Sequence, residues 1–418
     1  MRQASIVILS WLTTGGFAIA GPPALGPILS QTNEVGVTEL VEVGDDQGLD
    51  RWLAQFRIRA QTAGITASVL DRALTGLKYD ADVIRRDQNQ SEFTKTIWEY
   101  LDTAASDDRI TNGQAALRKH AAVLDKIEAR YGVDKEVVVA IWGLESAYGT
   151  FRGSVPILQA MATLAYDGRR GAFFEAELLN ALKILQAGDT TPEGMRGSWA
   201  GAMGHTQFMP SSFLAYAEDF DGDGKRDIWG DDPTDALASA AAYLAHFGWQ
   251  KDAPWGVEIA LPKGFDYELT GERLKKPIAE WRALGVKSFD GTTLPDHGPA
   301  SVLLPGGARG AAFLIFANFQ VIERYNTADA YVIGVGHLSD RIKGGAPIRA
   351  AWPREDRALK FEERIEMQDR LTKAGFDTLG VDGRIGPNTI AAVKAFQLAN
   401  SWIPDGYPSL RVLEKLRG

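Results

Sequence analysis

Residues 134–149 read DKEVVVAIWGLESAYG, and this run constrains the fold more than any other stretch of the chain. Val137, Ile141, Leu144 and Tyr148 follow one another at the spacing of one face of an α-helix. Val138, Trp142 and Glu145 form the adjoining stripe. Glu145 therefore points towards packed protein or into a cleft. The helix is expected to start after Asp134, a suitable N-cap, and to stop at Gly149. That places Glu145 in the last turn, where the partial negative charge of the helix end disfavours an ionised carboxylate. Desolvation acts in the same direction. Both effects raise the pKa, as a general acid working near neutral pH requires. The competing reading is a solvated glutamate at a helix end, and this stretch alone does not decide between them.

A net charge of −9 excludes the basic face that nucleic-acid binders carry. There is no cysteine, which excludes disulfides, thiol catalysis and lipid attachment through cysteine. Residues 4–20, ASIVILSWLTTGGFAIA, follow Arg2 and end in Ala18-Ile19-Ala20, the pattern of an export signal (1–20) cleaved after Ala20. Ser10, Thr13, Thr14 and two glycines weaken the alternative of a membrane anchor. The mature protein is expected to be soluble in a periplasm, with no transmembrane segment after cleavage.

Residues 21–48 read as a linker, and from Leu49 the pattern LDRWLAQFRIRAQTAG is helical up to Gly64. Further helices are expected at 114–131, 134–148, 172–187, 234–247 and 311–324, while WGVEIALP at 255–262 fits a strand. Residues 49–348 are thus expected to form one mainly α domain with long functional loops. The looser stretch APIRAAWPREDRALK marks a boundary near 345–360. Beyond it, residues 357–418 read as a compact helical module. There GVDGRIGPNT supplies a tight turn at Asp382-Gly383 and Pro387 at the first position of a helix. That helix turns Ile390, Val393 and Phe396 to one side. A unit this small fits binding or targeting; the plainer reading is a packed domain that aids stability or contacts another protein.

Residues 198–213 read SWAGAMGHTQFMPSSF. Ser198, His205 and Gln207 offer hydrogen-bonding groups among Trp199, Met203, Phe208 and Met209, the mixture that binds sugar rings and their oxygens. A glycine-rich helix-packing segment would look similar. Together with Glu-Ser-x-Tyr-Gly at 145–149, DFDGDGKRDIW at 219–229, Tyr243 and RYNTADAY at 324–331, the segment resembles the lytic murein transglycosylase B family. The terminal stretch is similar to a peptidoglycan-binding module at Gln368, Gly375-Phe376, 380–389, Ala392-Val393 and Phe396-Gln397.

The resemblance implies a lysozyme-like helical catalytic domain with a small strand-containing part, followed by a three-helix module. It makes Glu145 the sole catalytic acid and base. It places Ser198, Gln207, Tyr243, Tyr325, Asn326 and Tyr331 along a glycan groove, with Met203 and Phe208 among the apolar faces offered to the sugar. Two departures stand out. His205-Thr206 replaces an aromatic-small pair, which alters a subsite rather than the chemistry, and the lipobox cysteine is missing.

In the acidic loop, Asp219, Asp221, Asp223 and Gly224 match the first half of an EF-hand, with the Lys225 carbonyl at position seven. Position twelve is Gly230 instead of glutamate. The resemblance makes Asp235 the closing carboxylate, with Asp231 and Asp232 as competitors. A structural calcium is expected, against the alternative of a solvated acidic turn, and no organic cofactor.

The implied reaction cleaves the bond between N-acetylmuramic acid and N-acetylglucosamine with formation of a 1,6-anhydro ring. The implied partners are peptidoglycan glycan strands and proteins of wall synthesis or remodelling. Two rivals stand beside this reading: a hydrolytic muramidase, and a non-catalytic wall-binding scaffold. None of the five histidines forms a HExxH pair.

Overall fold

The computed structural model describes residues 45–88 and 95–418. The export signal, its cleavage point and most of the expected linker lie outside the described residues. The first described helix, α1 (Asp46–Thr62), starts three residues before Leu49 because the Asp45 carboxylate accepts the Gly48 N–H at 2.6 Å. Next come α2 (Ala67–Leu74), α3 (Ala81–Gln88), α4 (Ile97–Ala104), α5 (Asp107–Lys119), α6 (Ala121–Tyr131) and α7 (Lys135–Ser146). The helical body continues with α8 (Ile157–Asp167), α9 (Gly171–Ala187), α10 (Pro210–Tyr216) and α11 (Thr234–His246). A short antiparallel pair, β1 (Val155–Pro156) and β2 (Arg196–Gly197), anchors the loop between α9 and α10.

The single helix expected at 114–131 is two. His120 leaves the helical region, with φ −106° and ψ 18°, and sets its ring edge-on to Trp142 at 5.4 Å. Neither glycine nor proline marks the break; packing makes it.

A second sheet, unforeseen beyond its first strand, contains β3 (Gly256–Ala260), β4 (Lys287–Ser288), β5 (Ser301–Leu303) and β6 (Ala312–Ile315) in the order β4-β3-β6-β5. All its pairs are antiparallel, with Gly256 opposite Ile315 on β6 and Ser301 opposite the same residue from β5. The expected helix at 311–324 is β6 followed by α13 (Ala317–Glu323). Along β6 the side chains alternate between two cores. Phe313 and Ile315 enter the large helical core, while Ala312 and Leu314 join a separate layer with Ile259, Trp281 and Val302. A strand buried on both faces is apolar throughout, so its period is invisible in the sequence. Trp281 comes from α12 (Ile278–Ala283), and the chain returns to the helical body through α14 (Asp329–Ile342).

Three helices, α15 (Phe361–Lys373), α16 (Pro387–Ala399) and α17 (Leu410–Arg417), enclose a third core of Leu359, Met367, Leu371, Val393, Phe396, Val412 and Leu413. Ile390 stays outside it, partly exposed. Buried Gln368 organises the glycine turn. Its Oε1 accepts the N–H groups of Asp382 and Gly383 at 3.0 and 2.7 Å, and its Nε2 donates to Thr389 Oγ1 at 3.1 Å.

The unit does not hang free. Lys394 Nζ donates to Tyr267 O, Thr270 O and Thr270 Oγ1 at 3.0, 3.2 and 2.9 Å, and Ala308 N donates to Asp405 Oδ2 at 2.8 Å. The preceding strap is also pinned: Trp352 packs on Trp98 at 6.1 Å, and Arg354 forms a two-pronged ion pair with Asp102 at 2.8 Å. No helix among the described residues is long and apolar enough to cross a membrane.

Candidate active site

α7 carries Glu145 and is enclosed on every side, since residues from Val137 to Ile141 have no exposed surface. It packs against α5, α6, α11 and α14. Asp134 precedes it but does not cap it; its carboxylate accepts Trp249 Nε1 at 2.8 Å and Asp252 N at 3.2 Å.

The helix ends at Ser146, two residues earlier than Gly149 implied, because Ala147, Tyr148 and Gly149 all adopt left-handed backbone, with φ of 49°, 58° and 83°. Two of the three carry a side chain, and each pays roughly 1–2 kcal/mol for that conformation. Tyr148 therefore leaves the helical stripe. Its ring folds over Gly143, where a Cβ would come within 2.6 Å of it, and its hydroxyl donates to Arg109 O at 2.7 Å. Arg109 in turn donates to Gly143 O.

Glu145 is 8% exposed, and its Oε1 accepts the Tyr331 hydroxyl at 2.5 Å. Burial pushes the carboxyl up to about 7, and the Tyr331 hydrogen bond opposes that rise without cancelling it. Among the described residues no second carboxylate contributes to the shift. Burial, and then the Glu145 charge, drive the phenols of Tyr331, Tyr325 and Tyr100 well above their usual range. These groups stay protonated, and Tyr331 and Tyr325 act as donors. Tyr100, on α4, was not foreseen: nothing in its local sequence points to a carboxyl on another helix.

The loop at 198–213 folds into a tight turn and a hairpin. Ser198 N donates to Ala202 O at 2.7 Å, and Ser198 Oγ accepts Ala202 N at 3.0 Å. Met203 and Phe208 exchange backbone hydrogen bonds of 2.8 and 3.0 Å. Phe208, Tyr243, Tyr325 and Tyr331 then form a continuous wall that leads to Glu145. Phe208 lies 5.9 Å from both Tyr243 and Tyr325, and Tyr325 stacks parallel to Tyr331 at 6.5 Å. The Tyr325 hydroxyl ties the wall to the hairpin by donating to Thr206 O at 2.6 Å.

Gln207 holds a positive φ of 53° and donates through Nε2 to Gly204 O and Arg152 O at 2.7 and 3.1 Å. Its buried Oε1 has no hydrogen-bond partner among the described residues. Asn326 is buried and accepts Ala328 N at 3.0 Å, shaping the entry to α14. Met203 is fully enclosed, beneath the wall instead of on it.

Asp219, Asp221 and Asp223 converge, with ligand oxygens all within 4.8 Å of one another. Gly222 and Gly224, at φ 81° and 90°, allow the chain to wrap around them. These hard oxygen donors fit calcium. The Lys225 side chain is exposed, and its N–H donates to Asp223 Oδ1 at 2.8 Å. Asp235 is not one of the three. Its Oδ1 accepts Phe220 N at 2.8 Å and its Oδ2 accepts Asp227 N at 3.0 Å, so it braces the loop from below.

A family model described as the transglycosylase SLT domain matches residues 48–340. The chain belongs to this transglycosylase family. A model for a peptidoglycan binding domain matches residues 362–416. This SLT-domain chain is 34% identical over 242 residues to the membrane-bound lytic murein transglycosylase B of Escherichia coli K12, which takes in 56% of this chain and 64% of that protein. SltB3 from Pseudomonas aeruginosa, solved in complex with NAG-anhNAM-pentapeptide, superposes with a TM-score of 0.87 at 48% identity, covering 89% of this chain and all of that one. The Escherichia coli enzyme SLT35, solved in complex with calcium, gives 0.61 at 29% identity over 72% of this chain and 94% of its own. The helical body with its small sheets is the lysozyme-like fold of this family.

Proposed function

We propose that the chain is a lytic transglycosylase. It cleaves the β-1,4 bond between N-acetylmuramic acid and N-acetylglucosamine in peptidoglycan, with Glu145 as sole acid and base, in wall remodelling or turnover. One observation carries this reading: an enclosed carboxyl, pushed up by burial to about 7, stands at the end of an aromatic wall, and among the described residues no carboxylate acts on it. Glycosidases that use two carboxyl groups hold them close across the bond. Here the substrate supplies the second function.

Glu145 gives its proton to the glycosidic oxygen, and the bond to the anomeric carbon breaks. The muramyl acetamido oxygen stabilises the positive charge left on that carbon. The Glu145 carboxylate then takes the proton from the C6 hydroxyl as its oxygen closes on the anomeric carbon. No water enters, and the enzyme ends in its starting protonation state. Tyr331 steadies the carboxylate between the two transfers. Ser198, Gln207, Phe208, Tyr243, Tyr325 and Asn326 hold the glycan, and Met203 supports them from beneath. The SltB3 ligand, named with an anhydro-muramyl residue, supports this outcome in a relative.

Mass analysis of sugars released from purified wall provides the test. Wild type should release products one water lighter than a hydrolase would, and Glu145→Gln should release none. Reducing-end products would establish the muramidase instead; full activity in Glu145→Gln would leave only the scaffold. Asp219, Asp221 and Asp223, with the Lys225 carbonyl, would hold a calcium whose charge keeps the converging carboxylates together. Residues 1–20 direct export to the periplasm, residues 49–348 form the catalytic domain, and 357–418 bind the wall.

A further inference from the structure

We propose that His205 is a positioning residue for Glu145, clamping the strained end of α7 between the hairpin and the acidic loop. This inference rests on the functional reading above. Glu145 sits one residue before a serine and two before the left-handed run, so the direction of its carboxyl depends on whatever fixes that turn. His205 fixes it from several sides. Its backbone oxygen accepts the Ser146 hydroxyl at 2.6 Å, and the same hydroxyl accepts Gly149 N at 3.0 Å. Its Nδ1 accepts the Trp142 indole N–H at 3.0 Å, one helical turn before Glu145. Its ring lies flush on Gly149, where a Cβ would come within 2.5 Å of Cε1 and Nδ1.

The far side of the ring is anchored as firmly. Because Nδ1 accepts, the neutral ring carries its proton on Nε2, which donates to Gly230 O at 2.7 Å. Arg152 shares that carbonyl and pairs with Asp231 at 3.0 Å. The Gly230 N–H is held by Asp227 Oδ1 at 2.9 Å, and the His205 N–H by Ile228 O at 2.9 Å. The acidic loop is thus the abutment against which the imidazole pushes the turn. His205 is 3% exposed, and both ring nitrogens are engaged by protein groups. Its work passes through Trp142, Ser146 and Gly149.

Two conservative variants separate the ring's contacts. In His205→Asn the amide oxygen replaces Nδ1 and keeps the Trp142 bond; in His205→Gln the amide nitrogen replaces Nε2 and keeps the Gly230 bond. Each is assayed on purified peptidoglycan well below its own melting temperature. Displacing a catalytic group slightly is costly, so His205→Gln should lose about ten- to a hundredfold in kcat with KM little changed, and His205→Asn should recover part of that loss.

A second readout does not need turnover. Carbon NMR of labelled glutamate follows the Glu145 carboxyl, assigned by its absence in Glu145→Gln. In His205→Gln its midpoint should fall towards that of an ordinary glutamate as water reaches the loosened turn. Wild-type kcat in both variants of an active enzyme overturns the positioning role. If wild type releases no anhydro sugar, the functional reading fails, and the NMR midpoint alone decides: a shift upholds the clamp and no shift overturns it.

Discussion

Holding Glu145 uncharged sets stability against pH. The folded carboxyl titrates near 7, against 4.5 for an ordinary glutamate, so the folded chain binds more protons between those values. Stability is therefore fully expressed below about 4.5 and declines as pH rises through about 7, by on the order of 3 kcal/mol in all. Glu145→Gln removes the titration. Its melting temperature relative to wild type should be more favourable at pH 8 than at pH 5, although its anhydro-product release is lost; an equal offset at both pH values would contradict the assignment. Tyr331→Phe removes the hydrogen bond that favours the carboxylate. The alkaline limb of kcat/KM should then move to higher pH while kcat falls, by about tenfold or more. A limb that stays in place would mean that Tyr331 does not act on Glu145. The enclosure of Glu145 follows from its place on an apolar helical stripe, a local signal, although that stretch by itself left a solvated glutamate open. Tyr100 was not legible in sequence, since its charge interaction with Glu145 joins separate helices and leaves no spacing to read.

At the level of elements, the strongest local signals held and the chain's packing overrode the weak ones. Gly132 does end α6, in the left-handed conformation that favours glycine. Gly149 misled, because the left-handed turn starts two residues earlier, at Ala147. Strand β6 was read as helix because burial on both faces erased its alternation. The acidic loop gives a prediction at this scale. Its three carboxylates face one another, so removing a bound cation leaves them to repel. A chelator should lower the melting temperature of wild type, calcium should restore it, and Asp221→Asn should blunt the response. A melting curve indifferent to both additions would return the loop to an acidic turn.

The described residues pack around three hydrophobic cores, of which two were anticipated. The unforeseen one is the layer under the sheet, whose strands are short and, apart from β3, carry no clear alternation. The terminal unit was read correctly as three helices, but its attachment was beyond sequence: Lys394 reaches backbone carbonyls at 267 and 270, more than a hundred residues upstream. Removing 357–418 should reduce sedimentation with insoluble wall while anhydro-sugar release persists on soluble fragments. Unchanged sedimentation would defeat the targeting role.

The bond between Tyr331 and Glu145 spans 186 residues of chain. Until α14 has closed over α7, that carboxylate is an ordinary solvated anion with no proton to give. A polypeptide still emerging from the ribosome is therefore without this acid. Competence arrives only with the finished fold.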